Sequence, residues 1–229
     1  TPHRPSVGVV INIYSRLGNL VPLVRSYLGQ DYLPARIHCQ IESPLKHEDV
    51  LLKLHRELEY LSSLVDASLV ALTWSFSTLN SGVWGRFVTG RIIDCDYLLI
   101  SDDDTIPGRR WISSCVNTCE LYDCACTTYG IRFRRDTLDY FDHTIYGWRQ
   151  PSSIPECVDF MGHCWFIKCQ WLDSLRVQGL NHLYARSGED LFVSNYVRNI
   201  LKKTIIVPAH PANDRTYWGS IDGYEQGCG

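Results

Sequence analysis

Three consecutive aspartates, Asp102-Asp103-Asp104, close an apolar run, Tyr97-Leu98-Leu99-Ile100-Ser101. Adjacent carboxylates repel one another and stay ionised most easily beside a cation, and oxygen donors of this kind suit Mg2+ or Mn2+. An isolated Asp triplet is more often a solvated acidic turn, or places Asp104 as the N-cap of a following helix. The strand in front of it favours the metal, because ligands of open α/β sheets bind outside the carboxyl ends of the strands. Gly188-Glu189-Asp190 precedes a second amphipathic stretch. Acidic residues there stabilise a helix N-terminus without any chemistry; beside the aspartates they are also candidates for a base or an acceptor-binding group. His210, flanked by Pro208-Ala209 and Pro211 after the last apolar run, is a metal ligand or a loop imidazole. The tail Asp214-Arg215-Thr216-Tyr217-Trp218-Gly219 is a lid over phosphates and sugar, or a packed anchor.

These groups need elements to carry them. Apolar runs rich in Val, Ile and Leu predict strands over 6–13, 35–41, 69–76 and 96–101. Apolar residues three and four apart predict helices over 20–28, 48–64, 86–95 and 109–122. The alternation implies a mostly parallel sheet covered by helices on both faces, a Rossmann-like α/β class. Beyond residue 122 the pattern changes to a smaller β portion. Strands are expected over 124–133, over 157–168 as a pair or one bent strand, and over 204–207; helices are expected over 170–177 and 189–201. Residues 134–156 show no period, and a loop of that length is usually functional. Its Tyr140, Phe141, His143, Tyr146 and Trp148 suit a saccharide surface or a satellite apolar cluster.

Of the 229 residues, 45% are hydrophobic and 12% aromatic, which supports one sizeable core and excludes disorder. The net charge of −3 carries no run of one sign, so neither a nucleic-acid footprint nor a polybasic membrane patch is expected. No apolar run reaches the roughly 18 residues of a bilayer-spanning helix, and Thr-Pro-His-Arg-Pro-Ser does not read as a signal peptide. The ten cysteines include no C-x-x-C pair, and several lie in apolar stretches, which predicts mostly free buried thiols. With no N-x-[ST] sequon, a soluble domain is expected in the cytoplasm rather than a secretory lumen.

With the acidic run, Gly188-Glu189-Asp190 and His210 in this order, the chain resembles glycosyltransferases of the GT-A fold, over about residues 6–218. The spelling from Gly85-Arg86-Phe87 to Asp104 is also similar to the exostosin-like branch and to small viral or algal transferases. The resemblance implies a single domain over 1–229, with a nucleotide-sugar half over about 6–122 and an acceptor half over about 123–229. It implies Mn2+ or Mg2+, a nucleotide-sugar donor with UDP-sugar favoured, and a saccharide acceptor. Asn12, Tyr14, Arg16 and Glu42 would contact the nucleotide base, Arg86 its ribose or phosphate, and Asp102 the ribose or sugar. Asp103 joins these donor contacts with no separate role. Asp104 and His210 would bind the metal. Asp190 would be the general base of an inverting reaction, with Glu189 as the alternative, and Met161-Gly162-His163 would floor the acceptor site.

Two other readings use the same residues. A haloacid-dehalogenase-like phosphohydrolase also carries D-x-D after an apolar strand, but it wants Thr or Val where this chain has Ile106, and it places that strand first. A transferase-like module without activity would bind nucleotide or glycan only.

Overall fold

Val7, Val9, Ile11 and Ile13 alternate with residues that face the other way, and both sets are needed: the strand they form is buried on both sides. The computed structural model describes residues 4–42, 48–134, 141–148, 150–179 and 187–221. The elements follow as β1 (Val7–Ile13), α1 (Leu20–Leu28), β2 (Arg36–Glu42), α2 (Glu48–Ser63), β3 (Ala71–Ser77), α3 (Gly85–Gly90), β4 (Tyr97–Ser101) and α4 (Trp111–Tyr122). The second half supplies β5 (Ala125–Phe133), β6 (His143–Gly147), β7 (Glu156–Val158), β8 (Phe160–Lys168), α5 (Cys169–Gly179), α6 (Glu189–Asn195) and β9 (Ile205–Val207).

One sheet joins them in the order β3-β2-β1-β4-β8-β5-β9-β7, with β6 paired to β5. The first four strands are parallel. β8 enters antiparallel between β4 and β5, with Ser101 opposite Cys164. One face of the sheet packs Val9, Ile11, Leu99 and Phe166 with residues of α1, α2 and α4. The other packs Val10, Leu98, Ile100 and Trp165 with residues of α3, α5 and α6. Each fully buried Leu or Ile there contributes about 1.5–3 kcal/mol relative to exposure. The central strands, which end at the site, are therefore rigidly held.

The expected α/β class stands, and three expected elements change. The helix predicted over 86–95 stops at Gly90. A Cβ at Gly90 would lie 2.4 Å from Leu98, so the close approach of α3 to β4 demands glycine there. The aperiodic stretch 134–156 contains β6, a short strand with exposed positions whose mixed aromatic and polar spelling carries no clean alternation. The helix predicted over 189–201 is α-helical only to Asn195 and continues as a π turn, Tyr196–Ile200. Tyr140, Ser43 and Pro44 lie outside the described residues. Among the described residues, no helix is long and apolar enough to cross a membrane.

Candidate active site

β4 is buried at every position and delivers the three aspartates at its carboxyl end. Each meets a different set of partners, with Arg16 shared by Asp103 and Asp104 and His163 by Asp102 and Asp104. Asp102 pairs with the buried guanidinium of Arg86, from α3. Its side chain keeps 26% of its surface, but protein surrounds it closely. That desolvation raises its carboxyl, opposed by Arg86 and His163. Asp103 accepts from the backbone N–H of Tyr14 (3.4 Å) and of Arg16 (3.3 Å) and pairs with the Arg16 side chain. Its carbonyl accepts from Asn19 Nδ2 at 2.7 Å. Asp103 thus ties down the loop after β1. Asp104 is buried, which raises its carboxyl, but His163 and Arg16 outweigh this and hold it below the usual range. Arg16 lies 3.6 Å from its Oδ2.

His163 completes the cluster. It sits on β8 one residue before Cys164, the partner of Ser101, so the pairing of the two strands brings it level with Asp102. The Asp102 N–H donates to its carbonyl at 3.2 Å. Its φ of +64° is unusual for a residue other than glycine, and β8 shifts register against β5 beside it. Such bulges re-aim side chains near active sites. The buried Nδ1 has no hydrogen-bond partner and lies 3.8 Å from both Asp102 Oδ2 and Asp104 Oδ1. Those separations are too long for hydrogen bonds and suit three donors around a shared ion. Asp102, Asp104 and His163 offer ligand atoms within 4.8 Å of one another. Two hard oxygens and an imidazole fit Mn2+.

The imidazole expected here was His210. It lies instead beyond β9, buried, with Nδ1 at 2.7 Å from the Pro208 carbonyl and Nε2 at 2.6 Å from that of Gln150. A metal at either nitrogen would have to displace a carbonyl. Its backbone bridges Ser152, and its ring meets Trp218 edge-on. The tail packs in the same region: the Gly108 N–H donates to the Trp218 carbonyl and the Arg110 N–H to the Thr216 carbonyl, both at 2.8 Å. Residues 214–221 therefore sit as an anchor against the segment that follows the aspartates.

On the opposite side stands α6. Gly188 precedes it with a φ of +96°, a left-handed conformation that glycine adopts without cost. Glu189 reaches Arg86 at 3.4 Å, so one buried guanidinium joins β4 to α6. Burial raises the Glu189 carboxyl, and Arg86 opposes the rise. The Asp190 Oδ1 is buried without a partner, and its Oδ2 would lie 3.5 Å from a Cβ at Gly162, one residue before His163. Burial, reinforced by the charges of Glu189 and Asp102, pushes the Asp190 carboxyl up to about 8. A carboxyl with few ionic partners and a strongly raised pKa is a frequent mark of acid–base chemistry.

Arg86 stacks over Trp165 with 4.9 Å between guanidinium and ring centre, and donates to the Val83 carbonyl at 3.0 Å. Arg86→Met should cost about 3–5 kcal/mol, because Asp102 and Glu189 would be left buried without a counter-charge. The loss, read from chemical denaturation at pH 8, should shrink toward pH 4, where both carboxylates take up protons.

The remaining expected donor contacts divide. Asn12, near the end of β1, has a buried Oδ1 with no partner, which leaves an acceptor beside the site. Tyr14 is exposed. Glu42 ends β2 as expected, but both its oxygens accept from Ser81, through its N–H at 3.0 Å and its hydroxyl, and Gln40 Nε2 donates to it as well. Glu42 therefore braces the turn that leads into α3. Met161 is fully buried beneath the site. From the aromatic stretch, Trp148 packs on His163 with ring centres 3.9 Å apart, and Tyr129 closes the group at 5.3 and 5.5 Å. Tyr146 is turned to Arg132, which donates to its hydroxyl at 2.8 Å.

No protein-family model matches the chain, and no curated protein sequence does. Solved structures do. GalNAc-T7 with UDP, GalNAc and Mn2+ matches with a TM-score of 0.65 at 14% identity, over 89% of this chain and 42% of that one. The mannosyltransferase PcManGT from Pyrobaculum calidifontis, in complex with GDP-Man and Mn2+, matches at 0.57 and 16% identity, over 93% and 59%. TarS of S. aureus matches at 0.54 and 14%, over 90% and 36%. The chain thus spans less than two thirds of the length of each. Its sheet order, the acidic run at the end of β4 and these superpositions together establish that the chain has the GT-A glycosyltransferase fold.

Proposed function

We propose that the protein is a divalent-metal-dependent glycosyltransferase that moves a sugar from a nucleotide-diphosphate sugar, UDP-sugar favoured, to a saccharide hydroxyl with inversion. One observation carries this reading above the others: Asp190, with its raised carboxyl, lies across Gly162 from a cluster of two aspartates and an imidazole suited to a cation. The relatives in fold support the donor class, since GalNAc-T7 holds UDP and Mn2+ and PcManGT holds GDP-Man and Mn2+. Residues of about 6–122 would form the donor half, and those of about 123–229 the acceptor half.

In this mechanism Asp104, Asp102 and His163 would hold Mn2+ or Mg2+. The bound ion would act as Lewis acid and template for the charge that builds on the leaving diphosphate. Asn12, Tyr14 and Arg16 would flank the nucleotide, and Arg86 opposes the rise that burial imposes on the Asp102 carboxyl. Asp190 takes the proton from the acceptor hydroxyl on the face opposite the leaving group, with Glu189 held on Arg86 as its neighbour. Burial of Asp190, with the charges of Glu189 and Asp102 beside it, keeps its proton affinity high enough to accept that proton. Trp148 and Tyr129 present rings on which an acceptor sugar can pack. The phosphohydrolase alternative needs its aspartates after the first strand of the domain, whereas here they follow β4.

The test is a melting screen of nucleotide-sugars with and without Mn2+. A ligand at 100 times its Kd stabilises by about 2.7 kcal/mol. If no nucleotide-sugar moves the melt with any divalent ion, the proposal is lost. The ligand set has its own test. His163→Ala should weaken Mn2+ affinity about 10- to 100-fold, on the scale of losing a group that tunes a metal site. His210→Ala should lower stability but leave that affinity unchanged. Calorimetric titration of Mn2+ into both variants decides, and the reverse pattern would return His210 to the metal.

A further inference from the structure

Helix α4 ends at Tyr122, and Asp123 follows in the left-handed conformation, with φ of +48° and its N–H on the Cys119 carbonyl. The chain reverses there and enters β5 at Ala125. The reversal folds Cys124 and Cys126 back against Cys119. The three sulfurs form a nearly equilateral triangle: 3.5 Å from Cys119 to Cys126, 3.9 Å from Cys124 to Cys126 and 4.0 Å from Cys119 to Cys124. All three residues are buried to within 1% of complete. Cys115, one helical turn earlier, is equally buried, but its sulfur stands outside the group whose ligand atoms all lie within 4.8 Å of one another. Cys126 is level with Phe166, three residues along β8 from His163, so this group is separate from the carboxylate site.

Sulfurs bound to zinc at about 2.3 Å in tetrahedral array stand about 3.8 Å apart, which is the mean size of this triangle. The Cys126 and Cys124 thiols donate weakly to the Cys115 and Thr118 carbonyls at 3.8 Å, contacts that would be given up when the thiols ionise around an ion. Just outside, Lys168 and Lys203 both pair with Asp123, leaving a net positive charge to balance an excess thiolate. We propose that Cys119, Cys124 and Cys126 bind a structural zinc ion through three thiolates. Each ligating thiol gives its proton to solvent as the ion enters. The ion pins the end of α4 to the start of β5, and so steadies the strand that flanks β8. The competing state is reduced thiols packed as small apolar groups.

The experiment is elemental analysis of the full chain, expressed in zinc-supplemented medium and purified under reducing conditions without chelator. Close to one equivalent of zinc is expected per chain. Replacing it with Co2+ should give the thiolate-to-cobalt charge-transfer band. Asp104→Ala and Cys164→Ala should keep the zinc, while the double variant Cys124→Ser, Cys126→Ser should lose it. If the double variant fails to fold, the cobalt spectrum of the unaltered protein still decides. Absence of both zinc and the cobalt band overturns the proposal, as does zinc retained by the double variant or a disulfide among the three cysteines in the purified chain.

Discussion

Asp190→Asn should yield a protein that binds donor, transfers nothing, and outlasts its parent on heating at alkaline pH. The loss of transfer follows from removing the base and should be about 10^2- to 10^4-fold. The gain in stability follows from burial. An unfolded aspartate titrates near 3.9, whereas Asp190 in the folded chain is pushed up to about 8. Between these values the folded chain holds a proton that the unfolded chain has released, so stability falls as pH rises through that window and levels off above it. Asn has no such slope. In metal-free buffer the variant should therefore match its parent at pH 4 and exceed it at pH 8.5 by a few kcal/mol. Melts at the two pH values measure this. An equal difference at both, or a variant less stable at pH 8.5, would refute the buried-base assignment even if activity were lost.

The second large effect separates Asp104 from Asp103. Asp104→Ala should abolish the metal-dependent part of donor binding, so that the stabilisation of about 2.7 kcal/mol expected at 100 Kd disappears. Asp103→Ala should act on the fold instead. It removes the acceptor for two backbone N–H groups and the partner of Arg16, and each charged hydrogen bond of this kind is worth about 1.5–3 kcal/mol. Its melt should drop without ligand, while the remaining folded protein still responds to Mn2+. Binding lost equally in both variants would end the division of roles.

Much of the frame was legible along the chain. Parallel strands buried on both faces read as unbroken apolar runs, and β1 and β4 do so. The apolar spacing over 20–28 gave the bounds of α1. Glu189 and Asp190 were visible because a charged pair opening an amphipathic helix is a local pattern. Residue type alone could not separate the three aspartates: they are chemically identical neighbours, and only their partners differ.

His163 marks the limit. It is one polar residue inside an apolar strand, Phe160–Lys168, and that contrast was its sole local signal. Its place beside Asp102 comes from the pairing of β8 with β4 across some 60 residues, and its aim from a positive φ at a register shift. The Arg86–Glu189 pair spans 103 residues in the same way. His210 had the stronger local case, a histidine after the final strand, yet the chain turns its ring onto two carbonyls. The amino-acid order by itself determined the strand-end acidic run and the alternation that presents it, since both rest on periodicity and short-range chemistry. Which imidazole meets the aspartates, which aspartate holds the first loop, and that three cysteines converge were decided by the tertiary structure, because strand register, chain reversal and burial act between residues that are not neighbours in sequence.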